Sequence, residues 1–325
     1  MPKEITILPE EEDLRLDKVL SRLLPDMGLR GRRRLCELGL ALVDGRPAKE
    51  SRKMRPGEVV SLAPSFEEAE PEPAASETRL FPEDRPRLIR KTRHFAFLSK
   101  PAAMHTESLA GKPGESLESM LKELTGMERV RLLNRLDYPT SGIVTAALDQ
   151  TGVNDYQYAQ DEGRTEKRYL ALLEGDMPYG MLADQRLLLK NRDRVLVELA
   201  RHPDPRRHTV VDPLAVLDSE GVVRRLGLEK LGWSGRLPKR ITLAGCTILK
   251  GARHQIRAHC SGLGFPLLGD RRYEARFCPP EDAEEAFFLH HACIILPNSE
   301  ASVIPPWLGH LGSRAAEEAE RWLEE

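Results

Sequence analysis

Short apolar stretches with the length and composition of strands follow one another along the second half of the chain. They are separated by turns of Pro, Gly and Asp, and they read HFAFLSKP, YLALLEG, RVLVELA and RITLAGCTIL. Apolar residues recur at helical spacing in SLESMLKEL and in the C-terminal SRAAEEAERWLEE, where Ser313 should cap the helix and Trp322 and Leu323 should pack. The sequence has no strand-helix-strand rhythm, so the pattern predicts an α+β fold with a mixed, largely antiparallel sheet flanked by helices.

The first 64 residues have a different pattern, in which helical stretches precede two short strands. RLDKVLSRLL has helical spacing, whereas ALVDG and VVSL read as strands, the first ending in an Asp-Gly turn. Residues 65–86 are rich in Pro, Glu, Ala and Ser, which is typical of an extended linker. We therefore expect an N-terminal tail (1–12), a small α/β domain (13–64), an acidic linker (65–86) and a large domain (87–325).

Composition limits how the chain could bind nucleic acid. Its 325 residues are 40% hydrophobic and 31% charged, as in a globular protein, and the formal net charge is only -2. Binding to RNA would therefore depend on local clusters of positive charge. The clearest is an arginine cluster of Arg30, Arg32, Arg33 and Arg34. With no aromatic residues interleaved, this cluster fits contact with phosphates better than stacking on bases, and it also fits a solvated surface.

Cysteine usage and apolar runs bear on metals, compartment and membranes. The five cysteines are odd in number and none is spaced as CxxC, which argues against a disulfide framework and a zinc site. The N-terminus lacks the apolar stretch of a secretion signal, and the longest apolar run, FFLHHACIILP, is too short and polar to span a bilayer. We expect a cytoplasmic protein with no metal and no membrane association.

One acidic residue, Asp137, lies in a loop that has the features of an active site. Leu132 and Leu133 precede it, a strand-like run from Ile143 follows it, and a Pro-Thr-Ser-Gly turn breaks any helix between them. Catalytic groups concentrate on loops that a rigid sheet holds in place. The loop alone fits two interpretations equally well, a catalytic carboxylate or an aspartate that caps the turn.

Three ordered motifs give the chain a family resemblance. The stretch NRLDYPTSGIVTAAL, which contains Asp137, resembles the signature HRLDxxTSG of the RluA-type pseudouridine synthases. EKRYLALLEG and KGARHQIRAHCSGLGFPLLGDRRY agree in order and spacing, so the resemblance covers most of the chain from about residue 88 onward. It implies a sheet with a central cleft and an isomerase that converts uridine in RNA to pseudouridine without a cofactor.

The resemblance also implies three catalytic residues. Asp137 corresponds to the catalytic aspartate, and Arg257 to the basic residue that pairs with it and keeps it ionised. Tyr169 corresponds to a tyrosine that can stack on the uracil and assist proton transfer. Arg257 also fits a surface position on a helix, and Tyr169 a core position on a strand, where alternation sends it to the face opposite Arg168 and Leu170.

Five further residues are expected to contact the substrate: Arg135, Ile256, Asn134, His105 and Arg253. Ile256 maps to an apolar residue that covers the base, and Arg135 to an arginine that helps to fill the space left by the flipped nucleotide. His105 resembles a histidine near the cleft, and it fits an exposed turn equally well.

The sequence departs from the family pattern at three positions. Asn134 stands where the family usually has His, while Ala252 and Arg253 stand where it has Arg and Thr. Asn134 can preserve the geometry of the loop through hydrogen bonds, and Arg253 can supply a phosphate-binding charge moved by one residue. The same departures also fit an altered choice of substrate or a weakened enzyme.

The small N-terminal domain resembles the RNA-binding module named after small-subunit ribosomal protein S-four. The resemblance implies that the arginine cluster contacts phosphates, and it favours ribosomal over transfer RNA as the partner of a monomeric enzyme. Two other functions stay open at this point. One is a non-catalytic RNA-binding or ribosome-assembly factor on a decayed synthase domain, and the other is a glycosidase, which would need a second carboxylate close to Asp137.

Overall fold

The structure is a computed structural model in which residues 4–24, 32–33, 35–36, 39–63, 85–108, 116–189 and 194–325 are described. Contacts between backbone positions divide the chain into two compact units, Met1–Glu77 and Thr78–Glu325. Arg30 and Arg34, and nearly all of the expected linker 65–86, lie outside the described residues. The exact limits of the tail, the small domain and the linker therefore stay a prediction.

The first unit contains a small antiparallel sheet. Its described elements are β1 (Glu4–Thr6), α1 (Leu16–Val19), β2 (Ala41–Val43), β3 (Arg46–Pro47) and β4 (Val59–Leu62), with a 3₁₀ turn at Pro9–Glu11. The strands lie in the order β1, β4, β2, β3. The predicted Asp-Gly turn joins β2 to β3, with Asp44 and Gly45 both in the left-handed region at φ 49° and 74°.

The second unit is built on a large sheet whose strands include those expected from the apolar stretches. The described strands are β5 (Arg87–Lys91), β6 (Phe95–Lys100), β7 (Arg131–Leu132), β8 (Ser141–Ala147), β9 (Glu166–Glu174), β10 (Met181–Ala183), β11 (Gln185–Leu189), β12 (Val195–Arg201), β13 (Thr209–Asp218), β14 (Ser234–Gly235), β15 (Arg240–Ile248), β16 (Phe277–Cys278), β17 (Leu289–Leu296) and β18 (Ser299–Ser302). The pairs β11–β12 and β14–β16 form separate ribbons.

The large sheet runs in the order β10, β13, β15, β9, β17, β8, β6, β5, with β18 beside β17 and β7 beside β8. Within the described residues, β17 and β8 are parallel, and the other neighbours in this sheet are antiparallel. This arrangement confirms the predicted fold class of a mixed, largely antiparallel sheet. It also places β9, which carries Tyr169, two strands away from β8, which follows the Asp137 loop.

Helices flank the sheet. They are α2 (Leu121–Thr125), α3 (Gln150–Asp161), α4 (Ser219–Leu226), α5 (Gln255–Gly262) and α6 (Ser313–Glu324), with 3₁₀ turns at Glu118–Met120, Pro205–Arg207, Arg271–Tyr273 and Leu308–Leu311. Within the described part of the chain, no helix combines the length and the apolar character needed to cross a membrane.

The two faces of β9 belong to different apolar cores. Tyr169, Ala171 and Leu173 pack in one core together with residues of α5, whereas Leu170 and Leu172 pack in the other. Side chains of a strand alternate between faces, so this division follows directly from the sequence. The prediction that Tyr169 faces away from its neighbours is confirmed.

The C-terminal helix α6 forms as predicted, but its expected cap is wrong. Ser313 is the first helical residue, and Gly312 precedes it at φ 103° with no side chain that could cap the helix. Trp322 and Leu323 pack against the second core, as expected.

Candidate active site

The loop between β7 and β8 holds Asp137 in a fixed geometry. Thr140 donates its backbone N–H to the Asp137 carbonyl oxygen at 3.0 Å. Thr106 closes the other side, because its Oγ1 donates to the Leu136 carbonyl at 2.8 Å and accepts the Leu136 N–H at 3.1 Å. The side chain of Asp137 keeps 29% of its surface exposed. The carboxylate is thus held by its backbone and remains accessible.

Arg257, on α5, binds three carboxylates at once. Its Nη1 donates to Asp137 Oδ2 at 3.0 Å, and its Nε and Nη2 donate to the two carboxylate oxygens of Asp270 at 2.7 and 2.8 Å. Nη2 also donates to Glu285 Oε1 at 2.6 Å. The Arg257 side chain is only 2% exposed, and its guanidinium carbon lies 4.4 Å from the centre of the Phe287 ring.

These contacts determine the charge of Arg257. Burial alone would lower the pKa of Arg257, but the carboxylates of Asp270, Asp137 and Glu285 raise it above its ordinary value. The guanidinium therefore stays charged across the working pH range. It presents a fixed positive charge 3.0 Å from the Asp137 carboxylate.

His254 is a second neighbour of Asp137. It precedes α5 in the left-handed region at φ 52°, which brings its Nε2 to 3.7 Å from Asp137 Oδ2. Burial, partly opposed by Asp137 and reinforced by nearby arginines, lowers the pKa of His254 to about 4. Its Nδ1 lies 2.9 Å from the hydroxyl of Tyr273, which itself accepts the N–H of Val195 at 2.9 Å. Tyr273 can thus donate to Nδ1, which places the imidazole proton on Nε2, facing Asp137.

Tyr169 lies on β9 in the same apolar core as Ile256. Burial raises the pKa of its phenol well above the ordinary value, and the charge of Asp137 raises it further, so the hydroxyl stays protonated. Its ring stacks on that of His291, with 4.5 Å between centroids and 14° between planes. The structure thus brings the three expected catalytic residues into one electrostatically coupled site.

Comparison with known proteins decides the family. The family model described as RNA pseudouridylate synthase matches residues 94–262, more than half of the chain, and this match contains Asp137, Tyr169 and Arg257. An uncharacterized RNA pseudouridine synthase of Aquifex aeolicus is 31% identical over 274 residues, which cover 81% of this chain and 78% of the relative. The chain belongs to the RNA pseudouridylate synthase family.

Other relatives of the synthase agree with this assignment. Ribosomal large subunit pseudouridine synthase D of Escherichia coli K12 is 27% identical over 295 residues, which cover 87% of this chain and 80% of that protein. The solved structure of human RNA pseudouridylate synthase domain containing 1 superposes with a TM-score of 0.53 at 19% identity, covering 71% of this chain and 87% of that one. The human protein therefore shares the fold. The family match and the relatives in sequence show that the chain is an RNA pseudouridine synthase.

The expected substrate-contacting residues take different positions in the synthase. Ile256 is buried in the core around Tyr169, whereas Arg253 and Arg135 are exposed. Arg135 forms an ion pair with Glu107 at 2.9 Å. His105 is half-buried and packs on Tyr138, with 4.6 Å between ring centroids. Of these residues, Ile256 is therefore packed into the catalytic core, while the arginines lie where a polyanion can reach them.

Asn134 connects the Asp137 loop to strand β8 through two hydrogen bonds. Its Oδ1 accepts the backbone N–H of Thr145 at 2.7 Å, and its Nδ2 donates to the carbonyl of Ile143 at 3.4 Å. Both partners lie on β8, so Asn134 ties the beginning of the Asp137 loop to the strand that follows it. This geometry is what the hydrogen-bonding capacity of Asn134 predicts.

Sequence reasoning missed four residues of the synthase site: Asp270, Glu285, His254 and His291. Asp270 and His254 lie within the quoted KGARHQIRAHCSGLGFPLLGDRRY motif, so a closer reading of that motif could have singled them out. Glu285 follows an acidic stretch and His291 lies in an apolar run, and neither offers a local signal.

The arrangement provides the Asp137 carboxylate, one fixed positive charge and one protonated phenol. A glycosidase needs two carboxylates with separate roles. Among the described residues, Asp270 and Glu285 share Arg257 with Asp137, and the guanidinium engages both of their carboxylates. The site therefore suits chemistry that depends on Asp137 alone.

Proposed function

We propose that this synthase converts uridine to pseudouridine in ribosomal RNA of the large subunit, with Asp137 as the nucleophile. The observation that carries the proposal is the accessible Asp137 carboxylate, 3.0 Å from the buried guanidinium of Arg257. The names of relatives such as the Escherichia coli enzyme support the ribosomal substrate. Transfer RNA is the competing substrate.

The chemistry follows from a single carboxylate. Asp137 attacks C1′ of the uridine while the bond from C1′ to N1 of uracil breaks. The freed uracil turns, C5 forms a bond to C1′, and the carboxylate leaves. C5 then loses its proton and N1 gains one, so no atom is lost or added overall. Arg257 orients the carboxylate for the attack and stabilises its negative charge after release.

Tyr169 and Ile256 are proposed to hold the detached base. Both are almost fully buried in the core that contains Leu136, the neighbour of Asp137, so the ring can rotate without water entering the site. The phenol of Tyr169 stays protonated, because burial raises its pKa, and it can donate a hydrogen bond to the base or assist transfer of the C5 proton. Uracil in a duplex cannot reach this position, so the nucleotide must be flipped out of its stack. Arg135 and His105 then support the RNA around the vacated space.

Positive residues are proposed to guide the RNA. Arg253 is exposed three residues before the buried Ile256, so it can bind phosphate next to the flipped nucleotide. In the first unit, Arg33 is exposed and donates through Nε to buried Asp17 at 2.8 Å. We propose that Arg33 and Arg32, with Arg30 and Arg34 of the same cluster, contact phosphates of ribosomal RNA. The enzyme would act as a cytoplasmic monomer without a metal.

Mapping of pseudouridine in total RNA tests the proposal. Cells lacking the synthase should lose pseudouridine at one or more ribosomal positions, and wild-type protein should restore it. Asp137→Asn should fail to restore it, since loss of a nucleophile lowers the rate by about 10³-fold or more. Glu128→Gln, which changes an exposed carboxylate elsewhere, is the matched control and should restore it.

Each outcome of the mapping separates the alternatives. Loss confined to transfer RNA would overturn the ribosomal substrate while keeping the enzyme. Full restoration by Asp137→Asn would overturn the role of Asp137. Defective ribosome assembly that Asp137→Asn corrects, with no change in pseudouridine at any position, would favour the non-catalytic factor.

A further inference from the structure

His291 is the stacking partner of Tyr169. The two residues lie opposite each other on the paired strands β17 and β9, and their rings are nearly parallel. His291 is fully buried. The phenol oxygen of Tyr169 makes no hydrogen bond with any described residue, so its direction depends on how the ring is packed. His291 supplies a flat surface against that ring.

Hydrogen bonding fixes the orientation of the His291 ring. Its Nδ1 donates to the carbonyl of Ile143, on β8, at 2.6 Å. Burial lowers the pKa of His291 to about 3, so the ring is neutral and Nδ1 carries its proton. Nε2 is buried and has no hydrogen-bond partner in the described structure. An apolar side chain would avoid this unpaired acceptor, so the histidine is unfavourable for packing alone.

The carbonyl of Ile143 connects His291 to the Asp137 loop. Asn134, at the start of that loop, donates to the same oxygen at 3.4 Å. Gly142 permits the contact, because a Cβ at this position would overlap the backbone of His291. Strands β8 and β17 can therefore approach closely at the point where the loop, His291 and Tyr169 meet.

We propose that His291 is a positioning residue of the synthase, which acts through Tyr169. The flat face of its ring holds the Tyr169 phenol at a fixed tilt, and the hydrogen bond to Ile143 contributes little to that tilt. The inference rests on the proposed role of Tyr169 in handling the detached uracil. A displaced phenol would leave RNA binding unchanged and slow the chemical step.

Two substitutions separate the flat ring from the volume of the side chain. His291→Phe keeps a flat ring, and His291→Met fills a similar volume with a flexible chain, while both remove the hydrogen bond to Ile143. Single-turnover rates are measured with a saturating, unmodified RNA transcript that contains the target uridine found by the mapping. The Kd for this transcript is measured by filter binding. We expect the Met variant to be slower by roughly 10- to 100-fold and the Phe variant by less than about threefold, with both Kd values within about twofold of wild type. Equal rates for Phe and Met would overturn the inference.

The same measurements in a Tyr169→Phe background distinguish positioning from a structural role. If His291 acts by directing the Tyr169 hydroxyl, His291→Met should slow Tyr169→Phe by less than about twofold, because the directed group is already gone. A purely structural defect would slow both backgrounds equally and would overturn the inference. Thermal unfolding of each variant verifies that it is folded. If the larger His291→Phe variant does not fold, the comparison of His291→Met in the wild-type and Tyr169→Phe backgrounds still decides the question.

Tyr169→Phe alone tests the proposed function that underlies the inference. A wild-type single-turnover rate for this variant would remove the hydroxyl from the mechanism, and the positioning role of His291 would fall with it. A slow Tyr169→Phe combined with a wild-type rate for His291→Met would overturn the positioning role alone.

Discussion

Arg257 donates two hydrogen bonds to Asp270 and one to Asp137. Asp270 therefore orients the guanidinium, whereas Asp137 receives its positive charge in the site. Asp270 is completely buried and holds the planar group by a bidentate contact. Asp137 meets the remaining edge and is partly exposed. The direction of the positive charge in the site is thus fixed before substrate arrives.

Arg257→Lys should impair catalysis although it keeps the charge. A lysine ammonium cannot bind Asp270, Glu285 and Asp137 at once, because it lacks the planar group of arginine. It would bind the buried Asp270 and lose its contact with Asp137. We expect kcat to fall by roughly 10²-fold, the typical cost of losing one preorganised donor. The control is Arg272→Lys, since Arg272 binds Glu285 at 3.3 Å and forms no ion pair with Asp137 among the described residues. Equal kcat values for the two variants would refute the role of the planar Arg257 guanidinium.

Asp270→Asn should destabilise the protein far more than Glu285→Gln. Removing the charge of Asp270, which is fully buried, breaks a bidentate contact and should cost about 3–5 kcal/mol in the free energy of unfolding. The carboxylate of Glu285 keeps 30% of its surface exposed, so its substitution should cost less than about 1 kcal/mol. Denaturant unfolding of both variants measures the difference. Similar costs would show that Asp270 is not the main anchor of Arg257.

Stability should fall as the pH decreases below 6.5. Burial lowers the pKa of His290 and of His291 from 6.5 to about 3 in the folded state. The unfolded chain therefore binds more protons between these two values, and the free energy of unfolding rises with pH across the window. At pH 5 each histidine should lower stability by about 2 kcal/mol relative to pH 8.

The variant His290→Gln isolates one of these groups. The substitution can change the free energy of unfolding at pH 8 by any amount. Between pH 5 and 6.5, however, the slope of that free energy against pH should be smaller than in wild type by the contribution of one histidine. Urea unfolding at a series of pH values gives both slopes. Identical slopes would mean that His290 is protonated equally easily in the folded and unfolded chain.

Gly142→Ala should be much more disruptive than Gly126→Ala. Both glycines have positive φ, 111° and 71°, so an alanine is strained at either position. A Cβ at Gly126 would enter open space, whereas a Cβ at Gly142 would collide with the backbone of His291. We expect a cost of about 1–2 kcal/mol at Gly126 and a larger cost, with loss of activity, at Gly142. The test is the thermal midpoint and the turnover rate of each variant.

The sequence predicted those parts of the site that depend on local patterns. The turn around Asp137 was recognisable from Pro139 and Gly142, and strand alternation placed Tyr169 on the correct face. Arg257 was expected from the family resemblance of its motif, and the structure places it on α5, buried and not at the surface position that the motif also fitted. The turn and the strand face needed only a few consecutive residues and a short-range rule.

The remaining parts depend on contacts between distant segments. Glu285 reaches Arg257 across 28 positions of the chain, and His291 meets Ile143 across 148. No local period encodes such pairs. The histidine was also hidden in an apolar run, where strand propensity was the dominant signal. In the first unit the arginine cluster was visible, but the contact of Arg33 with Asp17 again joins residues 16 positions apart.

The C-terminal helix has a consequence for the opposite face of β9. The Trp322 ring lies against Gly245 on β15, where a Cβ would collide with it, and Arg168 donates to the carbonyls of Trp322 and Leu323 at 3.0 and 3.2 Å. Arg168 is the immediate neighbour of Tyr169, so the end of the chain presses on the reverse side of the strand that presents the phenol. Fraying of the last turn of α6 would be transmitted through a single peptide unit to Tyr169. Helix α6 therefore supports the reverse face of β9, and we expect a change that loosens its last turn to alter the turnover rate before it alters the fold.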